Sequence, residues 1–234
     1  MHYVWGDRTI GWLADAAEYT GFYRNIAALL LPHIRKRGSL CDMGCGMALA
    51  DLALAGEIEA ITCVDVNGPA LTFAQQESAR RGTDNLRFLL SDGLNAAGRW
   101  DTVMALFHGR ADIVCPEYLR KANDRLLLVT HGAGVKRGMT DCENADETAF
   151  WLDAQGWRYA REDHVLEFGQ PHRSIAEAIE STAAFHRERG GMELEEFVRS
   201  HVRDTGRADF PYYTPKTRAL AIFDLPRAEN EHLL

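Results

Sequence analysis

Between residues 39 and 130 short apolar runs alternate with helical stretches, and no other feature of the chain constrains its fold as strongly. The runs are Ser39–Asp42, Ala60–Val64, Leu86–Leu90, Thr102–Phe107 and Arg125–Thr130. They are mainly apolar and read as strands, and the β-branched run Ala60–Val64 reads as a buried one. Helical stretches fall between them at Leu49–Ala55, Pro69–Arg81 and near Pro116–Ala122, with another at Asn144–Gln155. Strands alternating with helices call for a parallel sheet covered on both sides. The ends of the chain differ. Residues 9–37 read as two helices, one carrying Ile10, Leu13, Ala14 and Ala17, the other Phe22, Ile26, Leu29 and Leu30. Gly21 separates them, and Pro32 and Gly38 stop the second. Late in the chain, Trp157–Phe168 reads as a strand, Ser174–Arg189 and Leu194–Asp204 as helices flanking Gly190-Gly191, and Arg218–Leu225 as a last strand stopped by Pro226. Residues 169–217 are therefore expected to be a helical, lid-like insertion, and residues 1–37 a helical cap. No Pro/Ser-rich linker sets either apart, so one domain over 1–234 is expected.

A chain of 234 residues buries roughly 70% of its unfolded surface and needs no disulfide or metal to hold a core. Its 34 acidic against 26 basic residues give a net charge of −8, which disfavours a nucleic-acid partner. The five cysteines form no C-x-x-C pair and no zinc-type cluster, so reduced thiols and no metal are expected. Ile26–Leu31, the longest apolar run, is far short of a bilayer span. Met1–Trp5 lacks the charged and apolar regions of a signal peptide. A cytoplasmic protein without a membrane partner is the expectation; oligomeric state is left open.

Chemistry concentrates in Leu40-Cys41-Asp42-Met43-Gly44-Cys45-Gly46-Met47-Ala48, where a strand runs into Gly-x-Gly and then a helix. Glycine lets the backbone approach a ligand closely, and the carboxyl edge of an open parallel sheet is where ligands bind. Asp65, with Val66 beside it, stands nineteen residues past Gly46 at the end of the next strand. A carboxylate there can accept hydrogen bonds from both hydroxyls of a ribose. Ser91-Asp92-Gly93, after the third strand, can meet an adenine edge. A dinucleotide fingerprint needs a third glycine where Leu49 stands. Asp42 would also repel a pyrophosphate, but would attract a ligand bearing an ammonium and a sulfonium.

Asp42-Met43-Gly44-Cys45-Gly46 resembles the first motif of class I S-adenosylmethionine-dependent methyltransferases, with Asp65 and Asp92 at that family's ribose and adenine acids and Ala48 at its third glycine. The resemblance covers about residues 9–168 and 218–225. It implies a Rossmann-like seven-stranded, mostly parallel sheet in the order 3-2-1-4-5-7-6, with helices on both faces. It also implies methyl transfer from S-adenosylmethionine, with S-adenosylhomocysteine as product. Asp42, Gly44 and Gly46 would hold the methionine end, Asp65 and Val66 the ribose side, and Asp92 and Gly93 the adenine side. Ala17–Tyr23 resembles the aromatic helix that caps the cofactor in small-molecule members. Tyr23 is the cofactor candidate there and Tyr19 a substrate candidate.

The acceptor should enter over the end of the fourth strand, where Ala105-Leu106-Phe107-His108-Gly109 stands. His108 is the candidate base, since imidazole titrates near neutrality. His131 and the insertion's Arg173, Tyr212 and Tyr213 are candidate acceptor contacts. The chain lacks the Asn/Asp-Pro-Pro-aromatic signature of amino-methylating nucleic-acid and protein-glutamine enzymes, and Cys115-Pro116 reverses the Pro-Cys of cytosine-C5 enzymes. A small-molecule acceptor is expected. A non-catalytic S-adenosylmethionine-binding subunit and an enzyme acting on protein or RNA are the alternatives, with a nicotinamide-dependent oxidoreductase a third.

Overall fold

The computed structural model describes residues 6–134, 142–185 and 192–234. The expectations for Met1–Trp5, for Gly190-Gly191 and for the end of the helix at Ser174–Arg189 lie outside the described residues. In chain order the elements are helices α1 (Asp7–Thr20) and α2 (Phe22–Leu30), strand β1 (Ser39–Met43), α3 (Leu49–Leu54), β2 (Ala60–Asp65), α4 (Gly68–Arg81), β3 (Leu86–Leu90), β4 (Trp100–Leu106), α5 (Ala111–Lys121), β5 (Ala122–His131), α6 (Ala145–Ala154), β6 (Ala160–Glu167), β7 (Gln170–His172), α7 (Ile175–Phe185), α8 (Met192–His201), β8 (Arg203–Asp204), β9 (Tyr212–Thr214), β10 (Thr217–Pro226) and α9 (Arg227–Asn230).

The main sheet has seven strands in the order β3-β2-β1-β4-β5-β10-β6, the order expected with β10 as the seventh strand. The pairs from β3 to β5 are parallel, and β10 runs antiparallel to β5. Register aligns the carboxyl ends: Asp42 lies opposite Cys63 and Met104, and Asp65 opposite Leu90. In β5, Leu126, Leu127, Leu128 and Val129 are all buried, although successive side chains point to opposite faces. A strand covered on both faces needs this uninterrupted apolar run. Each such residue stabilises the fold by about 1.5–3 kcal/mol relative to exposure.

One local feature follows the sequence and another departs from it. Gly21 ends α1 in the left-handed region at φ 67°, as its place between two apolar faces implied. By contrast α5 begins at Ala111, five residues before Pro116, which sits inside the helix. The Ala111 N–H donates to Glu143 Oε2 at 2.9 Å, so the cap comes from a residue distant in sequence.

The chain divides into two compact units. The first holds most of the main sheet with α2 to α6. The second consists of Trp5–Phe22 with Leu166–Arg218, so α1 and α2 fall in different units. Its core includes a three-stranded antiparallel sheet, β7-β9-β8, within the segment expected to be helical. These strands are two or three residues long, too short for periodicity to register. His172 is buried among them. Its Nε2 lies 2.9 Å from Thr214 Oγ1 and its Nδ1 3.4 Å from Ser181 Oγ. Burial pushes this imidazole down to about 4, so it is neutral at physiological pH.

Candidate active site

The glycine turn is built from the end of β1 and pinned to the end of β2. The N–H groups of Gly44 and Cys45 both donate to the Val64 carbonyl, at 2.8 and 3.0 Å. Gly44 has φ 81°, and a Cβ there would lie 2.5 Å from Cγ of His108. Both conformation and space therefore demand glycine. The Gly46 N–H donates to Asp65 Oδ2 at 2.7 Å, and the Asn67 N–H to Asp65 Oδ1 at 2.8 Å. The backbone thus orients the Asp65 carboxylate while leaving each oxygen a further lone pair. After β3, Asp92 is exposed, with Oδ1 accepting the Leu94 N–H at 2.8 Å. Gly93 is buried, and a Cβ there would stand 2.6 Å from the Tyr118 hydroxyl oxygen. Val66, Leu90 and Leu94 expose apolar side chains on the same segments.

His108 follows β4 and its ring lies on Gly44. Its Nε2 is 3.2 Å from the Tyr118 hydroxyl, and the two rings are within 8° of parallel. Burial, with Asp92 and Asp42 nearby, raises the Tyr118 phenol, which stays protonated. Phe107 turns the chain at φ 53°, and its ring centroid is 5.2 Å from that of His131 at the end of β5. Tyr23 is half-buried on α2. The first unit thus holds Asp42, Gly44, Gly46, Asp65, Val66, Asp92, Gly93, His108, His131 and Tyr23. Tyr19, Arg173, Tyr212 and Tyr213 belong to the second. There Tyr19 stacks on Tyr213 at 4.9 Å, and buried Tyr213 donates to Glu167 at 2.6 Å. Arg173 is forked onto Asp15 at 2.7 and 3.1 Å and also meets Glu177. Tyr212 pairs with His172 in the β7–β9 ladder.

Two residues of the site escape a reading by motif, Tyr118 and Asp51. Asp51 is the one charged residue in Leu49-Ala50-Asp51-Leu52-Ala53-Leu54, and that isolation was the available signal. It is 0% exposed and Asp42 is 1% exposed. The two carboxyls lie within hydrogen-bonding reach of each other. Asp42 Oδ1 and both Asp51 oxygens lack a well-formed hydrogen bond, although Asp42, the Cys63 thiol and the Asp51 N–H all bear on the Asp51 carboxyl. Burial, then Asp51, then Asp65 push Asp42 well above the usual carboxylate range. Burial pushes Asp51 up to about 7, against the opposing effect of its hydrogen bond with Asp42. The nearby thiols are neutral: against the lowering hydrogen bond with Cys63, burial together with the Asp51, Asp42 and Asp65 carboxylates pushes Cys45 up to about 12, and Cys63 is raised by that same bond and by burial. Among the described residues no group of three or more His, Cys, Asp or Glu side chains could hold a metal ion. No helix among them is long and apolar enough to cross a membrane.

Residues 25–125 match the family model described as Methyltransferase small domain. The chain is similar in structure to the YcgJ protein from Bacillus subtilis, with a TM-score of 0.54 at 13% identity over 85% of this chain and 97% of that one. It is similar to magnesium protoporphyrin IX methyltransferase from Synechocystis PCC 6803 with bound S-adenosylhomocysteine, at TM-score 0.52 and 15% identity over 95% and 90% of the two chains. It is also similar to geranyl diphosphate methyltransferase in complex with S-adenosylmethionine, at 0.52 and 14% over 86% and 84%. At such identities the likeness is one of fold. The strand order, the reversed β10 and the matched segment give the chain the Rossmann-like fold of the methyltransferases.

Proposed function

We propose that this protein transfers the methyl group of S-adenosylmethionine to a small-molecule acceptor, at a site on the carboxyl edge of its main sheet. The observation that carries the reading is the clasp between the glycine turn and Asp65, through the 2.7 Å bond from the Gly46 N–H. A carboxylate fixed in this way presents both oxygens to a ribose diol before any ligand arrives, so little is lost in ordering it. Val66 and Leu94 supply apolar surface to the flanks of an adenine, and Asp92 an acceptor for its amino group. Asp42, whose buried Oδ1 has no donor, suits the ammonium of the methionine end. When bound, the cofactor supplies a methyl group on a sulfonium, with the leaving group built in.

The protein's own task is to align the acceptor and take its proton where it has one. His108 is the proposed base. Its ring is set over Gly44 by packing, and the phenol of Tyr118 holds its Nε2. A small acceptor is supported by the acidic balance of the chain and by a hollow of about 380 Å³ at the ends of β5 and β10, lined by Gly132, Ala133, Ala219 and Leu220 with Arg161 and His164 of β6. That volume lies within the range of small-molecule sites. Two of the similar solved structures are named for magnesium protoporphyrin IX and for geranyl diphosphate, both small molecules.

Calorimetry with S-adenosylhomocysteine tests the cofactor half. Asp65→Ala should weaken binding tenfold or more, about 1.4 kcal/mol; an unchanged Kd overturns the assignment. Once a metabolite screen has found an acceptor, His108→Gln should lower kcat by about 10²-fold or more while leaving cofactor affinity near wild type. Normal turnover would remove His108 as base.

A further inference from the structure

Asp42 and Asp51 present a problem that the rest of the turn does not solve. Both are fully buried, and three of their four oxygens lack a well-formed hydrogen bond. Each faces the other, and two carboxylates cannot hydrogen-bond unless one carries a proton. The Asp51 N–H and the Cys63 thiol ease the conflict at Asp51, but burial outweighs them and no cation among the described residues joins the pair. From β2 the pair faces the Cys63 thiol and the Asp65 carboxylate, from the turn the Cys45 thiol, and from α5 the Tyr118 phenol; Cys41 adjoins it on β1. The four thiols and hydroxyls are neutral groups and Asp65 adds negative charge. His108 lies against Gly44.

We propose that Asp51 is a positioning residue for the cofactor. In the free enzyme it shares one proton with Asp42, and the pair gives up that proton when the cationic methionine end is held against Asp42. The inference rests on the cofactor reading above and adds to it a residue and a proton. The balance is simple: the pair goes from one proton to none, the proton passes to solvent, and the ammonium replaces it as the positive charge beside Asp42. The sign follows by linkage. A ligand whose binding expels a proton binds more tightly as pH rises, until the free pair has itself lost the proton or the ligand's amino group, with a pKa near 8, loses its own. The free protein shows the converse. Its pair holds more protons folded than unfolded, so the contribution to stability is complete at pH values below the ordinary carboxylate range. It falls as pH rises from there through about 7.

The test uses the whole chain and S-adenosylhomocysteine, which carries the ammonium without the reactive methyl. Titration calorimetry at pH 6–7, in buffers of different ionisation enthalpy, should report release of up to about one proton per ligand bound. 5′-Methylthioadenosine, which lacks the ammonium, should bind without release. In Asp51→Asn the amide can donate to Asp42 and leave it ionised, so binding should persist with proton release abolished. Infrared spectra of the free protein supply a readout independent of ligand: a protonated-carboxyl band in the wild type near neutrality, absent from Asp51→Asn. If S-adenosylhomocysteine binds the wild type with no proton exchange from pH 5.5 to 8, or if a folded Asp51→Asn releases the same proton, the pair has no such role and the cofactor reading stands. If S-adenosylhomocysteine does not bind the wild type at all, it is the cofactor reading that fails. Should Asp51→Asn not fold, the wild-type proton count and infrared band decide alone.

Discussion

At the scale of single residues, Ala48 shows how a small departure in a motif is tolerated. It occupies the left-handed region at φ 50°, directly before α3, and is 1% exposed. That backbone costs an ordinary residue about 1–2 kcal/mol, a penalty glycine escapes. Glycine would, however, lose about 0.5–1 kcal/mol to chain entropy and about 0.8 kcal/mol from removal of a buried methyl. The three terms nearly cancel. Ala48→Gly should therefore shift stability by less than about 0.5 kcal/mol in urea unfolding, whereas Ala48→Val, branched at a positive φ, should lose about 2 kcal/mol or more. A clear gain for glycine would mean that the alanine methyl packs less well than its burial implies. Gly44 has no such latitude, because the His108 ring fills the space its side chain would need.

Among elements, the junction of β5 with β10 depends on one buried charge cluster. Arg125, 1% exposed, donates from Nε to Asp124 at 2.8 Å and from Nη1 to both oxygens of Asp224 at 2.9 and 2.7 Å. His33 approaches Asp224 at 3.2 Å. Arg125 Nη2 and Thr102 Oγ1, cross-strand neighbours, have no partner from the protein. Asp224→Ala leaves a guanidinium buried without its main partner and should cost about 3–5 kcal/mol in denaturant unfolding; adding Arg125→Met should recover most of the loss. If the single variant unfolds like wild type, water already solvates the cluster. Arg125 also marks the limit of what the sequence discloses. As the first residue of an apolar run it reads as the wet end of a strand, and only pairing with a residue almost a hundred positions away buries it. The same physics governs the other discrepancies. β3 was legible to the residue because Leu86–Leu90 carries its own signal. The start of α5 was not, because its cap is Glu143, and β7 to β9 are held by partners across the chain. In the site, Asp42, Gly44, Gly46, Asp65 and Asp92 could be read from local spacing at strand ends. Tyr118 and Asp51 enter it only through the packing of α5 and α3 on the sheet.

For the molecule as a whole, both units are assembled from separated stretches of chain. The main sheet is complete only with β10, which lies between β5 and β6 yet follows both in sequence. A chain stopped after Lys216 keeps the glycine turn and every residue of the candidate site in the first unit, but leaves β5 with an open apolar edge. Such an edge templates aggregation. The truncated protein should appear in the insoluble fraction and fail to bind S-adenosylhomocysteine; a soluble, binding-competent product would show that the first five strands fold without their seventh partner.

That order of assembly also sets a clock. At about 5–20 residues per second, the ribosome takes roughly 4–17 s to make the stretch of about 85 residues between the end of β5 and the start of β10. Throughout that interval Leu126–Val129 must wait beside a gap that no finished part of the sheet can close. The nascent chain is therefore most exposed to chaperones, and to neighbouring copies on the same message, after its cofactor motif has been translated and before its last strand arrives.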